Sequence, residues 1–343
     1  MQSHLRKSLT ILVRRGDYPE SQHRIRAAVT RGGTLERAFG DVDAPVFARS
    51  SAKPLQAVPL ILSGAADAFG LDDTEIAIAC ASHSGTDQHC RTVEGMLRKG
   101  DLKSSDLQCG IHAPFDIKSA EATLREGAPF DVLQNNCSGK HAGMLLLARH
   151  LGAPIESYRD PRHRVQTEIL RAISRLTDSP ESEIGIAIDG CGVPVHAFPL
   201  WRLALAYERL TAPDSLESDL AGAARRIVAA IRAHPFIFAG PDRLCSRLVE
   251  VLGERVTPKA GAEGVYALGI GESSIGIAIK CEDGSARGSR AAVLHLLSRL
   301  KLITPEEVER IRSLAAPAVR NFHGVVTGGL DWNGTETAPG EEG

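Results

Sequence analysis

The chain is 343 residues long, enough for one large domain or two fused ones, with 43% apolar, 24% charged and only 4% aromatic residues. A formal net charge of −2 gives no electrostatic case for nucleic acid or a membrane surface, which leaves a small molecule as the expected partner. No run approaches the roughly 18 apolar residues a membrane span needs, and the N-terminus enters a strand-like run without a signal-peptide core.

Residues 8–14 and 24–30 are short β-branched or apolar runs, and Gly32-Gly33 turns the second into 34–39 as a hairpin. From about 50 to 233 the texture is helical: Leu55, Val58 and Leu62 share a face, as do Val93, Met96 and Leu97, and 144–151 is apolar and unbranched. After Lys259 strand texture returns, with 264–270 and 274–280 broken by Gly271-Glu272 as a second hairpin. Residues 289–301 and 305–316 read as closing helices, the second opened by the cap signal Thr304-Pro305-Glu306-Glu307.

Strands at both ends around a helical middle predict an α/β fold of the α+β type. One antiparallel sheet is built from both termini, with a helical insertion at about 50–233, in a single domain over 1–330. A doubly wound parallel sheet is disfavoured, because the βαβ alternation is missing. Residues 331–343 are polar and bear Pro and Gly, which predicts a disordered tail. The seven cysteines are odd in number and scattered, with no C-x-x-C, so they read as reduced thiols of a cytoplasmic protein.

Arg49-Ser50-Ser51-Ala52-Lys53 contains S-x-x-K at the start of an apolar-periodic helix. Positions i and i+3 share a helix face, so the Lys53 amine is expected to reach the Ser50 hydroxyl. A serine is a poor nucleophile until a base takes its proton, and a lysine serves only if burial or a nearby cation lowers its pKa. The bland alternative is a helix cap at Ser50 or Ser51 with a solvated Lys53. Ser82-His83-Ser84-Gly85 stands where an S-x-N element would follow, and Lys259-Ala260-Gly261 where a K-T-G element would. That order is the signature of serine β-lactamases and penicillin-binding proteins, although both later elements depart in their letters and the spacing before Ser82 is short.

Four blocks extend the match: Phe47 to Gln56, Cys80 to Gly85, Asn135-Asn136-Cys137-Ser138-Gly139-Lys140-His141 to Met144, and Ile188-Asp189-Gly190-Cys191-Gly192-Val193-Pro194. Together they resemble the rhizobial-type (class 3) L-asparaginases of the asparaginase II family, from about residue 8 to 330. The resemblance implies a serine β-lactamase/glutaminase-like fold and L-asparagine as the substrate. It implies Ser50 as nucleophile with Lys53 as its base partner, and Ser82 with Lys259 as a second Ser-Lys pair. Two lysines near one site would lower each other's pKa.

The resemblance also puts Arg49, His141 and Asp189 among the substrate-contacting groups, with an acidic residue suited to the α-ammonium. Read by residue type alone, Asp189 is more readily a turn residue in Asp-Gly-Cys-Gly, and a satisfied core histidine is the alternative for His141. A further implication is one zinc per chain on Cys137, Lys140 and Cys245, tuning or ordering the site without being essential to the chemical step. Cys191 is given no metal role, and spacing alone would not have shown this site. A homodimer is expected from the resemblance only. The same machinery fits a glutaminase or broader serine amidase, and a β-lactam-sensing or peptidoglycan-binding module is the alternative of another class.

Overall fold

The protein is described here by a computed structural model covering residues 9–333. Its sheet begins with β1 (Leu9–Arg15), β2 (Tyr18–Arg31) and β3 (Thr34–Phe39). Gly32 and Gly33 both have positive φ, +58° and +80°, as a two-residue hairpin turn between Arg31 and Thr34 requires. The next strands are β4 (Pro45–Phe47), β5 (Gly185–Ile188), β6 (Pro194–Pro199), β7 (Val256–Ala260), β8 (Val265–Ile270) and β9 (Ile275–Cys281). The last are β10 (Val319–Arg320) and β11 (Val326–Asn333).

Among the described residues, one antiparallel sheet runs β10-β11-β1-β2-β9-β8-β7, with β3 added on β2. The N-terminal strands therefore pair with strands from the last quarter of the chain, as the two-ended strand texture predicts. Ile25, Ala27, Ala28 and Val29 are all fully buried, so β2 is covered on both faces. Strand alternation explains the two covers. On one side, a Cβ on Gly276 would lie 1.9 Å from Ala204 O and one on Gly269 2.4 Å from Tyr207 O, so helix Leu200–Thr211 packs with its backbone almost on the sheet. Cys281 faces the other way, where Gly288 of helix Ala286–Arg299 approaches its sulfur. Helix Pro305–Ala315 is the last among the described residues, opened by the expected box in which Thr304 and Glu307 cap each other's backbone N–H.

Two expectations need correcting. The middle of the chain is not purely helical, because β4, β6 and β5 form a separate three-stranded antiparallel sheet. Its strands are short, and exposed Ile186 and Ile188 kept them from reading as a buried run. The tail also begins later than expected: Asp331, Trp332 and Asn333 belong to β11 and pair with Leu12, Ile11 and Thr10. Local polarity hid them, since a strand this far along is stabilised by a partner some three hundred residues away. Residues 334–343 of that expected tail lie outside the described residues.

Candidate active site

Arg49–Ala52 is one turn of 3-10 helix leading directly into the helix Lys53–Gln56. In 3-10 geometry i and i+3 eclipse, so Ser50 and Lys53 share a face, and the Lys53 N–H donates to Ser50 O. The two serines separate cleanly. Ser51 is fully buried and its hydroxyl donates to Ala48 O at 2.6 Å, whereas Ser50 is half-buried. Arg49 has φ +50°, a left-handed conformation that costs a residue with a Cβ about 1 kcal/mol or more. It is held there by an ion pair from its Nε to Asp189 Oδ1 at 2.8 Å.

The Lys53 amine does not bond Ser50 in the expected way. It is buried and donates to Ala81 O at 2.7 Å and Asn136 O at 3.0 Å, which points it between the Ser82 block and the Cys137 block. The pair that is formed is the second one: Lys259 Nζ lies 2.7 Å from Ser82 Oγ and 3.1 Å from Ala260 O. Burial pushes the Lys259 amine down to about 7, helped by the charges of Lys53 and Arg243 against the pull of Cys245. Burial likewise lowers Lys53, with Lys140 adding to it and the Cys137 thiol opposing. Of the mutual lowering expected from the sequence, Lys53 acts on Lys259, whereas the cation acting on Lys53 is Lys140, and for both lysines desolvation is the larger cause.

The metal-ligand set needs correction. Lys140 Nζ lies 3.1 Å from Cys191 Sγ, and Cys137 shares a hydrogen bond with the same thiol. Cys245 is elsewhere, with its sulfur 3.1 Å from Tyr266 Oη and accepting from the Ala260 N–H at 3.3 Å. Its field acts on Lys259 and the two buried tyrosines Tyr207 and Tyr266. Cys137, Lys140 and Cys191 are therefore the donors brought together, and the role expected of Cys245 falls to Cys191. Sequence separation could not decide between them, because both lie far from Cys137 along the chain. The hydrogen bond from Cys191, with Lys53 and Lys140 nearby, holds Cys137 well below the ordinary thiol range despite burial. A thiolate beside an ammonium and a thiol is a set that a soft divalent ion such as zinc fits once two protons leave.

A second group capable of holding a metal comprises His23, Cys281 and Asp283, whose ligand atoms lie within 4.8 Å of one another. Sequence reading missed it, since only the C-x-D pair is local and His23 arrives from β2. Here Arg287 Nε donates to His23 Nε2 at 3.0 Å and the other ring nitrogen pairs with Asp283 at 2.6 Å. The proton therefore sits on Nδ1, the nitrogen that faces Asp283.

Asp189 has both readings at once. It is a turn residue, donating its N–H to Val193 O and accepting from the Gly192 N–H, and it is the partner of Arg49. Burial pushes its carboxyl up, but Lys140, the Gly190 N–H and Arg49 together hold it below the usual range. His141 is fully buried on helix Ser138–His150, with Nδ1 2.6 Å from Tyr158 Oη. The Tyr158 oxygen accepts from the Gln108 N–H and its raised pKa keeps its proton, so it donates to Nδ1 and leaves the hydrogen on Nε2. That Nε2 has no partner among the described residues. Burial, and then Lys140 and Lys53, keep the ring neutral.

Arg49, Lys53, Ser82, Lys140, His141, Asp189 and Lys259 thus belong to one charge-coupled cluster joined through Asn136, Cys137 and Cys191, and Ser50 adjoins it between Arg49 and Lys53, tied to Lys53 through its backbone carbonyl. Solved structures similar to this chain include Mglu in its native form (15% identity, TM-score 0.47), aligned over 82% of this chain and 61% of that one. A β-lactamase from Sulfitobacter sp. EE-36 aligns over 81% of this chain and 92% of its own, at 14% identity and TM-score 0.41. A β-lactamase from Mycobacterium bovis aligns over 76% and 88%, at 12% identity and TM-score 0.37. The chain thus spans about three fifths of the length of the Mglu structure, and at these scores the fold rests on the observed sheet rather than on the likeness. No curated protein matches the sequence. The sequence model of one family, however, matches residues 11–332, so the buried lysine and serine cluster lies wholly inside it and the chain belongs to the L-asparaginase II family, a family of asparaginase hydrolases.

Proposed function

We propose that the protein hydrolyses L-asparagine to L-aspartate and ammonia, with Ser50 as nucleophile and buried lysines as proton carriers. The observation that carries the reading is Lys259 at 2.7 Å from Ser82 Oγ with its amine brought to about 7. An amine of that pKa accepts and returns a proton near neutrality. Ser50 attacks the side-chain amide, ammonia leaves, and water releases aspartate from the acyl-enzyme. Lys53, eclipsed with Ser50, takes the serine proton, and Ser82 with Lys259 passes one to the departing nitrogen. The Ser51 N–H is committed to Ala48 O, which leaves the Ser50 N–H as the economical oxyanion donor. Asp189 offers a carboxylate to the α-ammonium. One observation favours a second reading: since the formed Ser-Lys hydrogen bond is the one at Ser82, Ser82 itself would be the nucleophile. The family resemblance further carries a homodimer, and the scattered free cysteines a cytoplasmic location.

The test is a coupled ammonia-release assay on asparagine, glutamine and a chromogenic β-lactam. Asparagine is expected to be turned over far faster than glutamine, although one methylene alone separates them by only about 1–3 kcal/mol in an apolar pocket. Comparable efficiency on glutamine would convert the reading to a general amidase. Hydrolysis of the β-lactam alone would replace it.

Zinc fits Cys137, Lys140 and Cys191, and when bound it would supply a Lewis-acidic centre beside the substrate. Its expected part is to order the site, because the serines and lysines already provide nucleophile and base. Metal analysis should find one equivalent per chain lost in Cys191→Ser, whereas Cys245→Ser retains it. Stripping the metal should weaken asparagine binding yet leave turnover at saturation; complete loss in a folded apo-protein would make the metal the catalyst.

A further inference from the structure

Four cations of the site are accounted for by partners. Arg49 pairs with Asp189, Lys53 with two carbonyls, Lys140 with Cys191, and Lys259 with Ser82 and Ala260 O. Arg243 immediately precedes helix Leu244–Leu252, and no carboxylate is among the groups acting on its charge. Its guanidinium lies over the Phe115 ring at 5.3 Å, and Phe115 stacks on His112 at 5.1 Å. The His112 Nε2 in turn accepts from the N–H of Asn136, whose carbonyl takes Lys53. Arg243 and Lys53 thus stand at two ends of one continuous wall.

Arg243 is near enough to Lys259 and His83 for its charge to disfavour theirs. A second cation, Arg290 of helix Ala286–Arg299, is near enough for its charge to oppose that of Arg243. The groups that favour its charge are the Cys245 thiol and the Tyr266 phenol, neither of them a carboxylate. A sheltered guanidinium beside another cation and without an anion is unfavourable unless an anion comes from outside.

We propose that Arg243 is the binding residue for the α-carboxylate of the amino-acid substrate. This rests on the amide-hydrolysis reading and deepens it. Asparagine brings three polar groups: the amide goes to the serines, the α-ammonium to Asp189, and the α-carboxylate to a free cation. A planar guanidinium meets a carboxylate with two parallel hydrogen bonds, and Phe115 beneath it fixes the plane. The Arg290 charge adds to the pull on the carboxylate. Specificity for a free amino acid, over an amide lacking the carboxylate, then comes from Arg243.

The experiment compares wild type and Arg243→Met on L-asparagine and on 3-aminopropanamide, which has hydrogen in place of the α-carboxylate. Arg243→Met should lose on the order of 100-fold in kcat/KM on asparagine, mainly through KM, and change less than about 3-fold on 3-aminopropanamide. Arg243→Lys should fall between, since it keeps the charge and loses the fork. Equal losses on both substrates, or no loss on asparagine, overturn the proposal. Calorimetric titration with L-aspartate decides it without turnover. Binding by wild type that weakens about 100-fold in Arg243→Met supports the proposal even if asparagine proves not to be the substrate. Aspartate binding that is absent in wild type, or unchanged in the variant, ends it.

Discussion

Ser50→Ala is expected to lower asparagine turnover on the order of 10⁴-fold or more while the circular dichroism spectrum and melting curve stay those of the wild type. The half-buried Ser50 side chain has little packing to lose, so the loss would be chemical. Ser51→Ala should show the opposite pattern. Its hydroxyl is buried and bonded to Ala48 O, so removing it costs about 1 kcal/mol of stability and leaves turnover within a few-fold. A dead Ser51→Ala beside an active Ser50→Ala would put the nucleophile one residue out. Burst-phase acylation surviving in Ser50→Ala but abolished in Ser82→Ala would transfer the role to Ser82, the serine that is bonded to its lysine.

The second large effect is expected at Lys259. Replacement by Met keeps most of the buried stem but removes the proton carrier, and turnover should fall roughly 10³-fold. Replacement by Arg should be as harmful, because a guanidinium stays protonated at any working pH. The pH profile follows with a definite sign. With the amine pushed down to about 7, the fraction of neutral Lys259 grows as pH rises through that value. Activity limited by a neutral amine therefore climbs from acid towards mildly alkaline pH and is lost as pH falls below about 7. A wild-type profile already flat from about pH 5 upward would exclude both lysines as the base and point to a carboxylate or histidine.

Much of the molecule can be read from the chain because its signals are local. Gly32-Gly33 needs only its own φ angles to make a hairpin, and Thr304 with Glu307 needs only one turn of helix to close a capping box. The two-ended sheet follows from texture, since β-branched runs at both ends must find partners and the middle offers few. The candidate blocks are legible for a different reason: S-x-x-K at Ser50 and Lys53 with Ser82 and Lys259 following in order is a local pattern, the family resemblance adds Lys140, and all three lysines prove buried. A buried charge is costly without a purpose.

What the sequence determined by itself was therefore the two terminal groups of strands, the helices between them and the two-ended sheet they build. Tertiary structure decided who pairs with whom. Lys53 reaches Ala81 and Asn136 rather than the Ser50 hydroxyl, and Lys259 on β7 reaches Ser82 across 177 positions. Cys191 displaces Cys245 beside Lys140, and β11 runs on to Asn333 because β1 is there to receive it. Each of these contacts joins segments distant in the chain, so its partner is set by how helices and strands pack and by which buried groups would otherwise lack a hydrogen bond. Neither condition has any trace in the spacing of letters along one segment.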